Sequence, residues 1–254
     1  MTAKLSVLKP LFRFTLLLMT VFMLSRIGLL LWQQQRLVDG DSIAVLIGGL
    51  RIDLSSLGYL SALAVLMLLA NVFLRSKTAL FQHAFTLYSS LVVTVIVVVE
   101  ASTPAFINQY DVRPNRLFVE YLDYPQEVFS MLLNGHQLAM ISTLIIATLS
   151  CVFAYRFINA AFSKQQNTKK ASQVVILVTT LIICLISARG TVSHRPLNPA
   201  LVYFSGDSLV NSLVLNSPYS VAFALKNMGN EKNASSLYGT MPRSDIIDTV
   251  KKAS

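Results

Sequence analysis

The chain has 254 residues, of which 54% are apolar and only 13% charged, with a formal net charge of +9; its mean hydropathy is +0.60. Soluble domains carry about 25% charged residues, and a soluble chain of this length could not hide so much apolar surface in one core. Disordered, collagen-like and disulfide-scaffold classes are excluded by the same figures. Cys151 and Cys184 each lie inside an apolar run and read as buried thiols rather than a disulfide. The composition is that of a membrane protein, and the placement of the positive charge does not suggest a nucleic-acid partner.

A helix that crosses the membrane needs about 20 mostly apolar residues, because each residue advances about 1.5 Å through about 30 Å of hydrocarbon. Five stretches qualify, at about 14–32, 43–74, 78–103, 137–157 and 171–188. The run Val92–Val99 alone would pass for a strand, but an isolated run in lipid must satisfy its backbone internally and is predicted helical. The first span follows Lys4, Lys9 and Arg13, as a signal peptide would, yet Trp32–Arg36 offers no small-residue cleavage site, so an uncleaved anchor is expected. Basic connections alternate with acid-containing ones. Lys4, Lys9 and Arg13, then Arg75 and Lys77, then Arg156, Lys164, Lys169 and Lys170 fall in segments without Asp or Glu. The alternate segments hold Asp39, Asp41 and Asp53, then Asp111, Glu120, Asp123 and Glu127. The expected topology has a cytoplasmic N-terminus and an extracytoplasmic tail after Arg189.

Between the third and fourth spans, the loop from about Ala101 to His136 opens with Pro104. It carries an apolar stripe at Leu117, Phe118, Tyr121 and Leu122, and restarts at Pro125. Such a segment fits a helix on the outer membrane surface or one packed against another domain. In the tail, Asp207–Leu215 reads as a short helix. Ser217-Pro218 reads as an N-cap followed by a first-turn proline, with Val221, Ala222, Leu225 and Met228 at helical spacing and Gly229 as the stop. Beyond Gly229 the polar sequence reads as a linker, and Asn233-Ala-Ser is a short glycosylation-type motif of low specificity. The predicted fold is all-α: a polytopic five-helix transmembrane domain over 1–188, with outer-face amphipathic helices and a helical tail over 189–254.

Catalytic signatures are missing: there is no Gly-x-Ser-x-Gly, Walker loop, His-Glu-x-x-His or zinc-spaced cysteine pair. His83, His136 and His194 read more readily as interface residues than as metal ligands, and no metal site is predicted. The informative groups are Arg26, Arg51, Asp53 and Glu100, all placed toward the outer leaflet. A charge in hydrocarbon costs at least about 2.5–3.5 kcal/mol, so an intramembrane arginine pairs or lines a wet cavity. Two readings stay open. One is a structural bridge from Arg26 to Asp53 or Glu100; the other is a polar vestibule for an anionic phospholipid headgroup.

Four segments, Gly49–Leu54, Asp111–Tyr121, His194–Pro199 and Asn211–Tyr219, resemble the membrane half of lipoteichoic acid synthase-like phosphoglycerol transferases and their sulfatase-like relatives in the alkaline phosphatase superfamily. The resemblance extends from the first span to about Lys226. It implies residence in the bacterial cytoplasmic membrane and five membrane helices. It further implies a helical linker and a large extracytoplasmic α/β domain with a threonine nucleophile and a divalent metal, usually manganese. This sequence stops about where that domain should begin, so no catalytic residue is carried over and the chain alone is expected to be inactive. Asp111, Arg113, Asn115, Arg116 and Glu120, with His194, Arg195 and Asn198, are candidates for coupling the membrane part to that domain. The expected partners are membrane lipids, anionic phospholipid foremost, and the catalytic domain. The competing function is a non-catalytic lipid-binding or regulatory membrane module.

Overall fold

The computed structural model describes residues 3–74, 78–162, 169–191, 194 and 196–237. Among them there is no strand. The helices are α1 (Lys9–Trp32), α2 (Asp41–Phe73), α3 (Thr78–Tyr110), α4 (Arg116–Leu122), α5 (Pro125–Gly135), α6 (Gln137–Asn159), α7 (Lys170–Arg189), α8 (Ser208–Val214) and α9 (Ser217–Leu237). Five of these, α1, α2, α3, α6 and α7, are long and apolar enough to cross a membrane. The protein is an all-α, multi-pass membrane protein.

The span ends follow the hydropathy to within two residues except at the start of α1, which begins at Lys9 rather than about residue 14, and at the end of α3. The third helix does not stop at Pro104 but continues through it to Tyr110. Proline removes the donor that the Glu100 carbonyl would use, yet such a site is tolerated where neighbouring segments hold the helix. Here Thr103, one residue before Pro104, is fully buried and bonds to the Ser217 hydroxyl at 2.7 Å, so α9 clamps the helix at that level. At 33 residues, α3 is about 50 Å long, longer than the roughly 30 Å of hydrocarbon a span must cross.

Helices α1, α2 and α3 pack mutually, α7 lies along α2, and α6 lies along α3 and α1. The α2–α7 contact depends on small residues. A Cβ on Gly58 would come within 2.3 Å of the Ala188 nitrogen, and the Ser55 hydroxyl donates to the Ala188 carbonyl at 2.7 Å. Without a hydrophobic force between helices in lipid, such close backbone approach supplies the packing. Most large apolar side chains of α6, including Leu138, Leu144, Leu149 and Phe153, point away from the protein, as a lipid-facing helix requires.

The bundle has two ends. Toward the N-terminus, Phe14, Leu18, Phe22, Leu68, Phe85, Ile158 and Leu177 form an apolar core. There Arg13 donates to the Phe157 carbonyl at 2.5 Å and Lys170 sits over the Phe73 ring. Toward the tail, the core is built partly by α8, whose Leu209, Leu213 and Val214 pack against Leu29, Leu30, Val45 and Ile107. The sequence reads 189–254 as a helical extracytoplasmic linker, with no packing against the spans foreseen. Instead residues 209–217 are buried among α1, α2 and α3. α9 then continues past Gly229 to Leu237; a glycine costs a helix interior only about 1 kcal/mol, and no proline lies between Gly229 and Leu237.

Helix α4 begins at Asn115, whose side chain caps the Leu117 N–H, and packs against α9. Its expected stripe faces outward in part: Leu117, Tyr121 and Leu122 are exposed, and Val119 is the buried residue. Helix α5 starts at Pro125 and leaves Phe129, Met131 and Leu133 exposed.

Candidate functional site

The site lies where the α8–α9 junction enters the three-helix core. Arg26, on α1, is fully buried. Its guanidinium donates to both carboxylate oxygens of Asp53 on α2, at 2.5 and 2.8 Å, the fork geometry that makes arginine–carboxylate pairs strong. Space for the guanidinium comes from Gly49, one helical turn before Asp53, where a Cβ would lie 2.3 Å from the Arg26 Nε. The Arg26 Nη2 also donates to the Val214 carbonyl at 3.3 Å, so the last turn of α8 closes over the pair. Asn216 completes this half. Its Nδ2 donates to Asp53 at 2.9 Å and lies 3.0 Å from the Ser56 hydroxyl.

Glu100 and Arg113 form the second half. One Glu100 oxygen accepts the Ser217 backbone N–H at 2.7 Å, at the start of α9, and the other accepts the Ser25 hydroxyl. A carboxylate at a helix N-terminus satisfies an orphan donor and complements the helix dipole. Asn216 caps the next available donor, the Tyr219 N–H, at 2.8 Å. The cap is therefore Asn216 together with Glu100, where Ser217 was expected. Arg113 is 2% exposed; its Nη1 donates to the Leu215 carbonyl and stands 3.6 Å from Glu100. Burial lowers the pKa of Arg113, and the Glu100 charge opposes that shift. The four groups, two cations and two anions, are closed from solvent, and each touches the segment Val214–Ser217.

The remaining candidates sit around this core. Arg51 is not part of it. Two residues from Asp53, it points some 200° around α2 and donates to the Gly190 carbonyl at 3.0 Å, beyond the end of α7. Asp111 adopts a left-handed backbone (φ 57°) and accepts from Arg36 at 2.9 Å, with Asp207 at 3.7 Å from the same guanidinium. The Asp111 hydrogen bond raises the Arg36 pKa. Arg116 and Glu120 pair at 2.8 Å along α4, both exposed. The side chain of His194 is exposed, and its carbonyl accepts from Arg189; Arg195 lies outside the described residues. Asn198 is half-buried, and its Oδ1 has no partner. Near it, the Tyr219 hydroxyl donates to the Leu197 carbonyl at 2.8 Å, and burial pushes the phenol up to about 12.

Sequence reasoning did not single out Ser25, Gly49, Thr103, Asn216 or Ser217 as members of this site. A signal existed for two of them. Gly49 precedes Asp53 by one helical turn on the same face, and Asn216 stands directly before a Ser-Pro helix start. Among the described residues no group of three or more His, Cys, Asp or Glu side chains could hold a metal ion. These residues do not fit a manganese centre, and no chemistry is assigned to one in this chain.

No family model matches the chain, and no solved structure matches it.

Proposed function

We propose that this chain is the membrane-anchoring and lipid-presenting part of a phosphoglycerol transferase-like enzyme of the lipoteichoic acid synthase type, and that it orients a catalytic domain carried beyond α9. The observation that supports this reading is convergence. The four segments of the resemblance are separated by up to about 170 residues. They contribute Gly49 and Asp53, Arg113, the Leu197 carbonyl, and Asn216 with Ser217 to one assembly. That assembly fixes the start of α9 against α1, α2 and α3, so α9 leaves the bundle in a set direction. A segment meant only to tether would not need two buried ion pairs at its root. Manganese chemistry and the nucleophile belong, on this reading, to the catalytic domain. The alternating Lys and Arg content of the connections supports a cytoplasmic N-terminus and an extracytoplasmic tail in a bacterial cytoplasmic membrane.

The experiment joins the chain in frame, after α9, to a catalytic domain of that type. It then assays phosphoglycerol release from phosphatidylglycerol with manganese. The chain alone should release nothing above a mock preparation, whereas the joined protein should turn over. Arg116→Ala should lower that turnover while changing bundle stability by no more than about 1 kcal/mol, since its pair with Glu120 is exposed. Turnover by the chain alone, or a joined protein indifferent to Arg116, would refute the proposal. Orientation is tested separately after replacing Cys151 and Cys184. Single cysteines at Asp123 and Ser235 should react with an impermeant maleimide in intact cells, and those at Lys77 and Lys164 should not.

A further inference from the structure

Helix α5 has little protein around it. Val128 is half-buried, and Phe129, Met131 and Leu133 are 58%, 54% and 39% exposed. Its main contacts are with its chain neighbours α4 and α6. At 11 residues it is too short to hold itself in water, where isolated helices below about 12–15 residues are marginal. At about 100° per residue, Met131, Val128, Pro125, Phe129 and Leu133 fill one continuous arc of about 200°, and Gln126, Ser130, Asn134 and Glu127 fall opposite. A helix divided in this way needs an apolar surface against one side.

The register of the spans places that surface. Tyr155 on α6 meets His83 on α3 at 3.3 Å. From Tyr155 back to Gln137, where α6 starts, the rise is about 27 Å, and the same rise along α3 from His83 ends near Ala101. On α2, the Ser55 hydroxyl bonds to the Ala188 carbonyl at 2.7 Å, next to Arg189 where α7 ends. The two shortest spans, 23 and 20 residues, thus stop at the level of Glu100 and Asp53. At about 30–35 Å they match the hydrocarbon they cross. α5 joins α6 at that level through the single residue His136, and Leu138, in the first turn of α6, is 84% exposed. The apolar arc of α5 therefore adjoins the lipid-facing surface of α6. Tyr124, adjoining α5, is exposed, and tyrosine is enriched at membrane–water interfaces. From Leu117 to His136 there is no Lys or Arg, while Glu120, Asp123 and Glu127 are acidic. Attraction to anionic headgroups is thus not available to this helix, and apolar burial is.

We propose that α5 lies in the plane of the tail-side bilayer interface, its apolar arc among the acyl chains and its polar arc toward water, and that a neutral zwitterionic surface suffices to hold it. The helix then acts as a ledge for α4, which packs against α9 and whose Tyr121 bonds to Tyr110 at the end of α3. The bilayer surface becomes a further support for α9, beside the buried junction at its root. This inference does not rest on the phosphoglycerol transferase reading, because it concerns the bilayer and not a substrate.

The test uses the full chain in nanodiscs of phosphatidylcholine, with Cys151 and Cys184 replaced and one spin-labelled cysteine at a time. Phe129→Cys and Met131→Cys sample the two sides of the apolar arc, and Ser130→Cys and Asn134→Cys the polar one. Leu144→Cys marks the lipid-facing surface of α6. Power saturation compares collisions with oxygen, which concentrates in lipid, and with a water-soluble nickel chelate. The oxygen-to-nickel ratio at Phe129 and Met131 should approach that at Leu144 and exceed that at Ser130 and Asn134 by about fivefold or more. Exchanging about a third of the lipid for phosphatidylglycerol should change it less than twofold. Nickel preference at all four α5 positions would place the helix in water. Few collisions with either reagent at Phe129 and Met131 would mean that protein covers the arc, whether an attached domain or a second copy. A contrast that arises only with phosphatidylglycerol would mean that headgroup charge holds the helix. Each of these three results overturns the proposal, and a label that blocks folding at Phe129 leaves Met131 to decide.

Discussion

Replacing Asp53 by leucine should damage the protein more than replacing Asp53 and Arg26 together. In the single variant, Arg26 loses both carboxylate bonds and retains only the Val214 carbonyl at 3.3 Å and a long contact to the Met23 sulfur. It has no route to water, because α8 covers it and the side chain is fully buried. Breaking one partner of such a pair costs about 3–5 kcal/mol, whereas exchanging the whole pair for apolar groups is often neutral or stabilising by about 1–4 kcal/mol. The double variant Arg26→Met/Asp53→Leu still loses the bonds to Val214 and from Asn216, each about 1 kcal/mol. Asn216 keeps Ser56 as a partner at 3.0 Å, which limits that loss. The double variant should therefore lie within about 2 kcal/mol of wild type. The coupling energy between the positions should reach at least about 2 kcal/mol. Reversible unfolding by sodium dodecyl sulfate from mixed micelles, followed by helicity, reads all four corners of the cycle. Additive losses, or a harmless Asp53→Leu, would refute the claim that this pair is closed and mutually dependent.

Two further outcomes follow from the same region. Gly49→Ala should destabilise by about 1–3 kcal/mol, as overpacking does, because its Cβ meets the pinned Arg26 guanidinium at 2.3 Å; adding Arg26→Met should recover most of the loss in the same unfolding assay. The Tyr219 phenol, raised to about 12 in the folded chain, holds its proton more tightly folded than unfolded, where it titrates near 10. Its contribution is full below pH 10 and is lost as pH rises toward 12, so unfolding midpoints should fall across that window and fall less in Tyr219→Phe.

The membrane-crossing helices were legible because lipid enforces one rule, a long apolar run closed on its own backbone, and α2, α6 and α7 end within two residues of where hydropathy places them. Arg26–Asp53 was legible as one of two pairings. Glu100 was legible as a member of the site but its pairing was not, because its partners are Ser25 on α1, a loop arginine and the backbone of a helix 117 residues later. Arg51 could have been set aside by helical geometry alone. The burial of α8 escaped the sequence because Asn211, Ser212, Asn216 and Ser217 look like solvent-facing residues. Their polarity is satisfied internally instead: Asn211 accepts the Phe204 and Ser205 N–H groups and donates to the Ser205 carbonyl. Composition distinguishes polar from apolar residues, but not polar residues met by water from those met by protein.

The tail is built into the bundle, and a disulfide across its contact with α2 reports that packing. A Cβ on Gly48 of α2 would lie 3.7 Å from the Val202 Cβ, inside the range of about 3.5–4.5 Å that a disulfide spans. The variant combines Gly48→Cys and Val202→Cys with Val214→Ala, which removes the methyl that the new Cβ would meet at 2.9 Å, and replaces Cys151 and Cys184. Oxidised in native membranes before solubilisation, it should crosslink nearly completely, and far more than the same chain oxidised after unfolding in sodium dodecyl sulfate. Equal and low yields in membranes and in the unfolded chain would show that the tail does not return to α2.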